Sequence, residues 1–146
     1  MMAQDLYKET LLDHYRHPRN RCDGPIAGAD AVARGANPRC GDEVEIGISI
    51  QDERVRDVVF RGRGCAICIA SASMMTEAVA GSSVEKTRLL CHQLHAWFGS
   101  GEAASGADLP GELQSLAAVR EHPSRKKCVL LSWEALAEAI DRAGEG

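Results

Sequence analysis

Residues 43–51, EVEIGISIQ, decide the fold of this 146-residue chain, because polar and apolar side chains alternate along them. Such alternation predicts a β-strand with one face towards a core and the other towards water. Polar residues 51–54 predict a turn, and residues 55–61, rich in valine and phenylalanine, predict a second strand. The chain therefore contains a predicted antiparallel hairpin.

Helical patterns surround this hairpin on both sides. The other predicted elements are a helix over 5–16, a weak strand over 29–35, helices over 66–80 and 83–98, a short helix over 111–119 and a last helix that begins at Pro123 and Ser124. Residues 99–111 are rich in glycine and predict a flexible insert. We expect one α+β domain over residues 1–146, with a small antiparallel sheet of about three strands and helices packed on one face.

Composition excludes two classes of partner. The formal net charge is −4 and no long basic run is present, which argues against nucleic acid. No segment approaches the roughly 20 apolar residues of a membrane helix, and the polar N-terminus lacks a secretory hydrophobic region. We therefore expect a cytoplasmic protein without a membrane partner. Six cysteines in such a protein are more often metal ligands or reactive groups than disulfides.

Three cysteines in separate segments have surroundings that suit a metal-bound thiolate. Cys40 lies in the sequence NPRCGD, where proline stiffens the turn and Asp42 follows two residues later. Cys65 follows two glycines that permit close backbone approach, and it precedes a predicted helix whose N-terminal dipole favours a thiolate. Cys128 follows the basic run RKK and is predicted in the first turn of the last helix. Arg125, in that run, would supply positive charge.

Together, these residues predict a zinc site with three sulfur ligands and one oxygen ligand. The ligands would be Cys40, Asp42, Cys65 and Cys128. The competing interpretation treats each cysteine as a small buried hydrophobic residue. Cys65 and Cys68 also form a C-x-x-C motif, which is typical of zinc knuckles or redox pairs. We predict that Cys68 and Cys91 are packed in helices and that Cys22 lies in a loop.

The histidines are predicted to lie outside this site. His14 and His17, like His92 and His95, have a three-residue spacing that can chelate a metal, but neither pair lies near Cys40, Cys65 or Cys128 in sequence. Both pairs are therefore predicted to be surface or partly buried residues. His122 is the histidine expected to approach the site most closely.

The cysteine segments resemble the NifU/IscU-type iron–sulfur assembly family, and its SufU branch in particular. The matching sequences are NPRCGD at 37–42, GRGCAI at 62–67 followed by ASASMM at 70–75, and RKKC at 125–128 followed by LSW at 131–133. The SufU branch is favoured because Lys127 stands where scaffolds of the IscU type carry a histidine, and because region 99–118 resembles the SufU insert. Cys68 departs from the family pattern, which has a small residue there.

The resemblance implies a SufE/NifU-like fold and a zinc-dependent sulfurtransferase. Such a protein accepts persulfide sulfur from a SufS-type cysteine desulfurase and serves downstream iron–sulfur assembly proteins. Our hypothesis is that Cys40 leaves the metal and takes the sulfur as the catalytic nucleophile, while Cys65 and Cys128 remain bound. The alternatives are an iron–sulfur cluster scaffold that uses the same cysteines, a structural zinc module, and a thiol oxidoreductase with a Cys65–Cys68 disulfide.

Overall fold

The structure is a computed structural model, and it describes residues 2–39, 41–99, 109 and 111–145. Its elements are α1 (Met2–Arg16), β1 (Ala31–Asn37), β2 (Asp42–Gln51), β3 (Arg54–Arg63), α2 (Ala66–Val79), α3 (Val84–Gly99), a 3-10 helix (Gly111–Glu121) and α4 (Pro123–Glu145). Most of the predicted insert, like Cys40, lies outside the described residues. That residues 1–146 form one domain stays a prediction.

The three strands form one antiparallel sheet in the order β1-β2-β3. The predicted α+β fold, with helices packed on this sheet, is confirmed. The strand predicted over 29–35 is present as β1. It continues to Asn37, which pairs with Asp42 at the start of β2. The first cysteine segment therefore begins at the last residue of β1 and ends at the first residue of β2. Among the described residues, none of the helices combines the length and hydrophobicity needed to cross a lipid bilayer.

The sheet packs its apolar face against α2 and α4. Val44, Ile46 and Ile48 of β2 are fully buried, as their alternation predicted. Ser71 of α2 joins the two helices, because its Oγ donates to the carbonyl oxygen of Val129 at 2.8 Å and accepts from Nε1 of Trp133 at 3.2 Å. This bond pair fixes α2 and α4 against each other, so it sets the relative positions of the two cysteines that these helices present.

The predicted short helix at 111–119 is present but winds as a 3-10 helix. Leu113, Leu116 and Val119 are its buried apolar residues, and they recur every three positions. A 3-10 helix has three residues per turn, so this spacing places all three on one face. The 3-10 form therefore keeps these three side chains against the core, although such helices are uncommon at this length.

His14 of α1 corrects the prediction that it is a surface or partly buried residue, because it is completely buried. Its Nδ1 lies 2.7 Å from Oγ of Ser73 on α2, and its Nε2 lies 2.7 Å from Oε2 of Glu112 in the 3-10 helix. The small side chain of Ser73 leaves room for the imidazole between these elements. His17 is exposed, in agreement with the prediction.

Replacing His14 by alanine is expected to lower the free energy of unfolding by about 2 to 4 kcal/mol. The change creates a cavity and removes a hydrogen-bond partner from buried Ser73. Urea denaturation measures the effect. The matched control is His17→Ala on the same helix, which we expect to change stability by less than about 0.5 kcal/mol. Equal effects of the two substitutions would contradict the role given to His14.

Candidate metal centre

The structure brings three of the four predicted ligands together. A carboxylate oxygen of Asp42 and the Sγ atoms of Cys65 and Cys128 all lie within 4.8 Å of one another. Asp42 is the first residue of β2, Cys65 is the N-cap of α2, and Cys128 lies on α4. Cys40 lies outside the described residues, so its place at the site stays a prediction.

The burial and hydrogen bonding of Asp42 are those expected of a carboxylate that binds a cation. It is 1% exposed, and its Oδ1 accepts a hydrogen bond from the backbone N–H of Cys65 at 3.0 Å. Its Oδ2 is buried and has no hydrogen-bond partner among the described residues. A buried carboxylate oxygen without a partner is costly, and a metal ion next to it removes that cost. The residues present therefore fit a cation.

Gly62 and Gly64, in the segment before Cys65, leave space that β2 and the carboxylate of Asp42 occupy. A methyl group at Gly62, which has a φ of 144°, would lie 2.0 Å from the carbonyl oxygen of Glu43. One at Gly64 would lie 2.8 Å from Oδ1 of Asp42. The predicted role of these glycines was close approach to a metal. In the structure they allow close approach to β2 and to the carboxylate of Asp42, and their approach to a metal stays a prediction.

Cys128 is fully buried, and its neighbours oppose its ionisation. Burial raises the pKa of the Cys128 thiol well above its usual range, and hydrogen bonds to Asp42 and Cys65, with their negative charges, raise it further. The prediction that Cys128 lies in the first turn of the last helix is wrong, because the helix begins at Pro123 and Cys128 is in the second turn. Helix dipoles act mainly within the first turn, so a bound cation would be needed to hold this thiolate.

Arg125 lies one turn before Cys128 on α4 and faces the thiols. The negative charge on Cys65 and a hydrogen bond to it raise the pKa of Arg125, and Cys128 adds to the effect. The guanidinium itself is exposed. Arg125 can therefore contact both a thiolate of the site and an approaching anion. This geometry is consistent with the supporting role predicted for it.

The site opens towards solvent on the Cys65 side. A groove beside it is lined by Leu11, Cys65, Ala66, Ile67, Val119, His122, Ser124 and Arg125. His122 is thus the histidine that shares a surface with the site, as predicted. Cys65 is partly exposed here, whereas Asp42 and Cys128 are buried. Of the three described candidate ligands, Cys65 is therefore the one that this groove leaves accessible to solvent.

The remaining cysteines follow their predicted environments. Cys68 and Cys91 are both buried in helices. Burial raises the pKa of the Cys91 thiol to about 11, so this thiol stays protonated at neutral pH. Cys22 is partly buried in the loop before β1. Cys91 therefore serves as a reference for an unreactive core cysteine.

A second group with metal-binding residue types was not predicted from the sequence. Ligand atoms of His14, Glu77 and Glu112 lie within 4.8 Å of one another. The three residues come from three distant segments, so no local spacing signals their convergence. Arg19 places its Nε 3.8 Å from Oε1 of Glu77, and that positive charge offsets the carboxylates. We interpret this group as a hydrogen-bonded ion cluster that joins α1 and α2 to the 3-10 helix.

The fold is α+β, and a buried carboxylate close to two cysteine sulfurs forms a candidate metal site where the sheet meets two helices. Residues 6–129 match the family model of the NifU-like N terminal domain. The chain belongs to this family. The predicted resemblance to NifU/IscU-type proteins, including SufU members, is confirmed.

Named relatives cover nearly all of the chain. The zinc-dependent sulfurtransferase SufU of Bacillus subtilis is 33% identical over 97% of this chain and 93% of its own length. The iron–sulfur cluster assembly scaffold protein IscU of Streptococcus pyogenes is 37% identical over 94% of this chain and 84% of its own length. A crystal structure of a putative scaffold protein for the SUF system, from Fervidobacterium islandicum, is 29% identical with a TM-score of 0.79, and the match covers 94% of this chain and 98% of that one.

Proposed function

We propose that this chain is an iron–sulfur cluster assembly protein of the SufU/IscU type and, more specifically, a zinc-dependent sulfurtransferase. It would accept persulfide sulfur from a SufS-type cysteine desulfurase and pass it to downstream assembly proteins in the cytoplasm. The observation that carries the proposal is the buried carboxylate of Asp42: one of its oxygens has no hydrogen-bond partner among the described residues, and a carboxylate oxygen lies within 4.8 Å of two cysteine sulfurs. The similarity to a relative named as a zinc-dependent sulfurtransferase supports the choice of metal and reaction.

Asp42, Cys65 and Cys128 would hold the zinc ion together with Cys40. A bound zinc ion keeps cysteine ligands deprotonated at neutral pH. Three donors of this kind suit zinc, which prefers thiolate and carboxylate ligands in a tetrahedral arrangement. Asp42 and Cys128 are buried in β2 and α4, so the surrounding elements hold them in place. The remaining proposed ligand, Cys40, lies in sequence between the end of β1 and the start of β2.

Sulfur transfer requires a thiolate that can leave its buried neighbours and reach a partner. We assign this role to Cys40. Its thiolate attacks the outer sulfur of the desulfurase persulfide, a new S–S bond forms on Cys40, and the donor cysteine leaves as a thiolate. Arg125 is exposed beside the site and would attract the anionic persulfide. The groove along Cys65 and His122 gives the partner access.

Replacing Cys40 by alanine tests this assignment. We expect the variant to fold normally but to give no stimulation of the desulfurase above the rate of that enzyme alone, because the accepting nucleophile is gone. Alanine production by the desulfurase, with cysteine as substrate, measures the rate. The matched control is Cys22→Ala, since Cys22 lies in a loop away from the three described ligand residues. Full stimulation by the Cys40 variant would reject the assignment.

A cluster scaffold is the second candidate, because the same three residues with Cys40 could bind a [2Fe–2S] cluster as cargo. The 37% identity to a protein named as a scaffold favours it. Anaerobic reconstitution with iron and sulfide separates the two functions. A sulfurtransferase should retain zinc and form no stable cluster, whereas a scaffold should replace zinc by a cluster with a lasting visible spectrum.

A further inference from the structure

The outer face of the sheet, opposite to the face that packs on α2 and α4, is covered over part of its area. A methyl group at Gly47 of β2 would lie 2.5 Å from the side chain of Ile26 and 3.3 Å from that of Ala29. Both residues belong to the loop before β1, so this loop lies against the middle of the outer face. Towards the start of β2, where Asp42 lies, the same face presents charged side chains instead.

Five charged residues form two neighbouring rows across this part of the sheet. Arg34 of β1, Glu45 of β2 and Arg61 of β3 are direct partners in the first row. Glu43 and Arg63 are partners in the second row, which lies nearer to the metal centre because Glu43 is the second residue of β2. Side chains two positions apart on a strand point to the same face, so all five project outwards.

A cavity of about 400 Å³ lies on these rows and also borders the loop before β1. Arginines outnumber carboxylates around it by four to three, although the whole chain has a formal net charge of −4. The cavity therefore concentrates positive charge on a protein that is acidic as a whole. We call its four cationic residues the arginine face. They are Arg21, Arg34, Arg61 and Arg63, and the carboxylates beside them belong to Asp23, Glu43 and Glu45.

The three arginines on the strands are paired with carboxylates to different degrees. Among the described residues, Arg34 makes a close ion pair with Glu43. Nε of Arg61 lies 3.8 Å from Oε1 of Glu45, and Nη2 of Arg63 lies 3.9 Å from Oε2 of Glu43. The side chain of Arg63 is also 81% exposed. A guanidinium has five N–H donors, so these loosely paired arginines can bind a further carboxylate.

Arg21 adds a positive charge that makes no ion pair within the part of the chain that the structure describes. Its Nη2 donates a hydrogen bond to the carbonyl oxygen of Gly62 at 2.9 Å, and this bond ties the guanidinium to β3. Gly62 lies three residues before Cys65, so the cation is held close to the segment that enters the metal centre. The guanidinium is therefore positioned without being neutralised.

We propose that the arginine face docks an acidic, extended segment of a partner protein beside the metal centre. Carboxylates form paired, charge-assisted hydrogen bonds with guanidinium groups, and arginine is enriched at protein interfaces. The backbones of Arg34 and Arg61 are separated by one strand and thus lie about 10 Å apart. About three residues of extended chain span that distance, so spaced carboxylates on one segment can reach both arginines.

Nucleic acid fits this surface less well than an acidic peptide does. Three carboxylates interrupt the positive charge and would repel a continuous phosphate backbone, whereas the spaced carboxylates of a peptide can each meet one arginine. The inference goes beyond the proposed function, since it requires neither zinc nor sulfur transfer.

Isothermal titration calorimetry with a decaglutamate peptide, at about 50 mM salt, tests the proposal on the full chain. We expect saturable binding that weakens at least about tenfold in R34E/R63E, because two attractive charges become repulsive. Both side chains are more than half exposed, so the variant should fold normally. R56E/R88E is the matched control, because it changes the net charge equally at two exposed arginines that do not line the cavity. It should bind within about twofold of the unsubstituted chain, since distant charges are screened.

A second control addresses the basic run before Cys128, which could attract the same peptide. K126E/K127E should also bind decaglutamate within about twofold of the unsubstituted chain, because neither lysine lines the cavity. A loss as large as that of R34E/R63E would assign the binding to the basic run and overturn the proposal.

Three further outcomes would contradict a docking site for an acidic peptide. They are no binding of decaglutamate to the unsubstituted chain, equal losses in R34E/R63E and R56E/R88E, and tighter binding of a ten-nucleotide single-stranded DNA than of decaglutamate. The second would show that only net charge matters, and the third would identify nucleic acid as the ligand. None of these measurements involves sulfur transfer, so each of these results would leave the proposed function intact.

Discussion

Asparagine at position 42 is expected to stabilise the zinc-free protein while weakening its affinity for zinc. Asp42 is almost fully buried, and one of its oxygens has no hydrogen-bond partner among the described residues. A neutral amide of the same shape costs less to bury than a carboxylate. It keeps an oxygen that can accept the backbone N–H of Cys65. The gain should be about 1 to 2 kcal/mol.

The same substitution, Asp42→Asn, should lower the affinity for zinc. The amide supplies no negative charge to the ion, so we expect affinity to fall by at least about 100-fold. Urea denaturation with a chelator present measures the stability of the zinc-free protein, and competition with a chelator measures the zinc affinity. Asp23→Asn, at an exposed position in the loop before β1, should change neither. A zinc-free D42N protein less stable than the unsubstituted chain would show that the carboxylate is satisfied without a metal.

Alanine in place of Gly62 is expected to destabilise the protein by about 4 kcal/mol or more. Its methyl group would lie 2.0 Å from the carbonyl oxygen of Glu43 and 2.8 Å from Cα of Val44. Both neighbours are backbone atoms of β2, so relief requires that β2 and β3 separate. The φ of 144° is also one that residues with side chains rarely adopt. Overpacking and backbone strain therefore act together.

A second variant, Gly28→Ala, separates the effect of overpacking from the effect of backbone strain. It also has a positive φ, 77°, but a methyl group there would meet no atom within 4 Å. Gly28→Ala should therefore show backbone strain alone, at about 1 kcal/mol. Thermal or urea denaturation of both variants measures the difference. If G62A and G28A lose similar amounts of stability, steric conflict with β2 contributes little. A separation of β2 from β3 would also be expected to lower zinc affinity, because Gly62 pairs close to Asp42.

The sequence predicted the hairpin well because its signal is local. The alternation in β2 has a period of two, and Val44, Ile46 and Ile48 are buried as it predicts; Gly47 and Ser49 on the other face are buried as well, because the fold covers that part of the sheet, and Ile50 is only partly buried. The metal centre needed more information. Asp42 and Cys65 are 23 residues apart, and their contact depends on strand pairing and on bare glycine backbone rather than on spacing. The local chemistry of each segment identified candidates, while the fold determines which of their atoms meet.

The two wrong predictions have different causes. His14 was predicted at or near the surface, yet Ser73 and Glu112 from two later elements bury it, and a short sequence window does not contain those neighbours. The start of the last helix at Pro123 was predicted correctly, but Cys128 is the sixth residue from that start and therefore lies in the second turn rather than the first. The ligand role of Cys40 stays a prediction.

The hydrogen bonds of Ser71 should make zinc binding easier by holding two cysteines in position before the ion arrives. By tying α2 to α4 at Val129 and Trp133, they maintain the separation between Cys65 and Cys128 independently of any metal. The protein then has little conformational entropy to lose when zinc binds, since two of its sulfur donors are preorganised. Loading should accordingly proceed without a large change in circular dichroism, and the apo chain should remain receptive to metal rather than unfold.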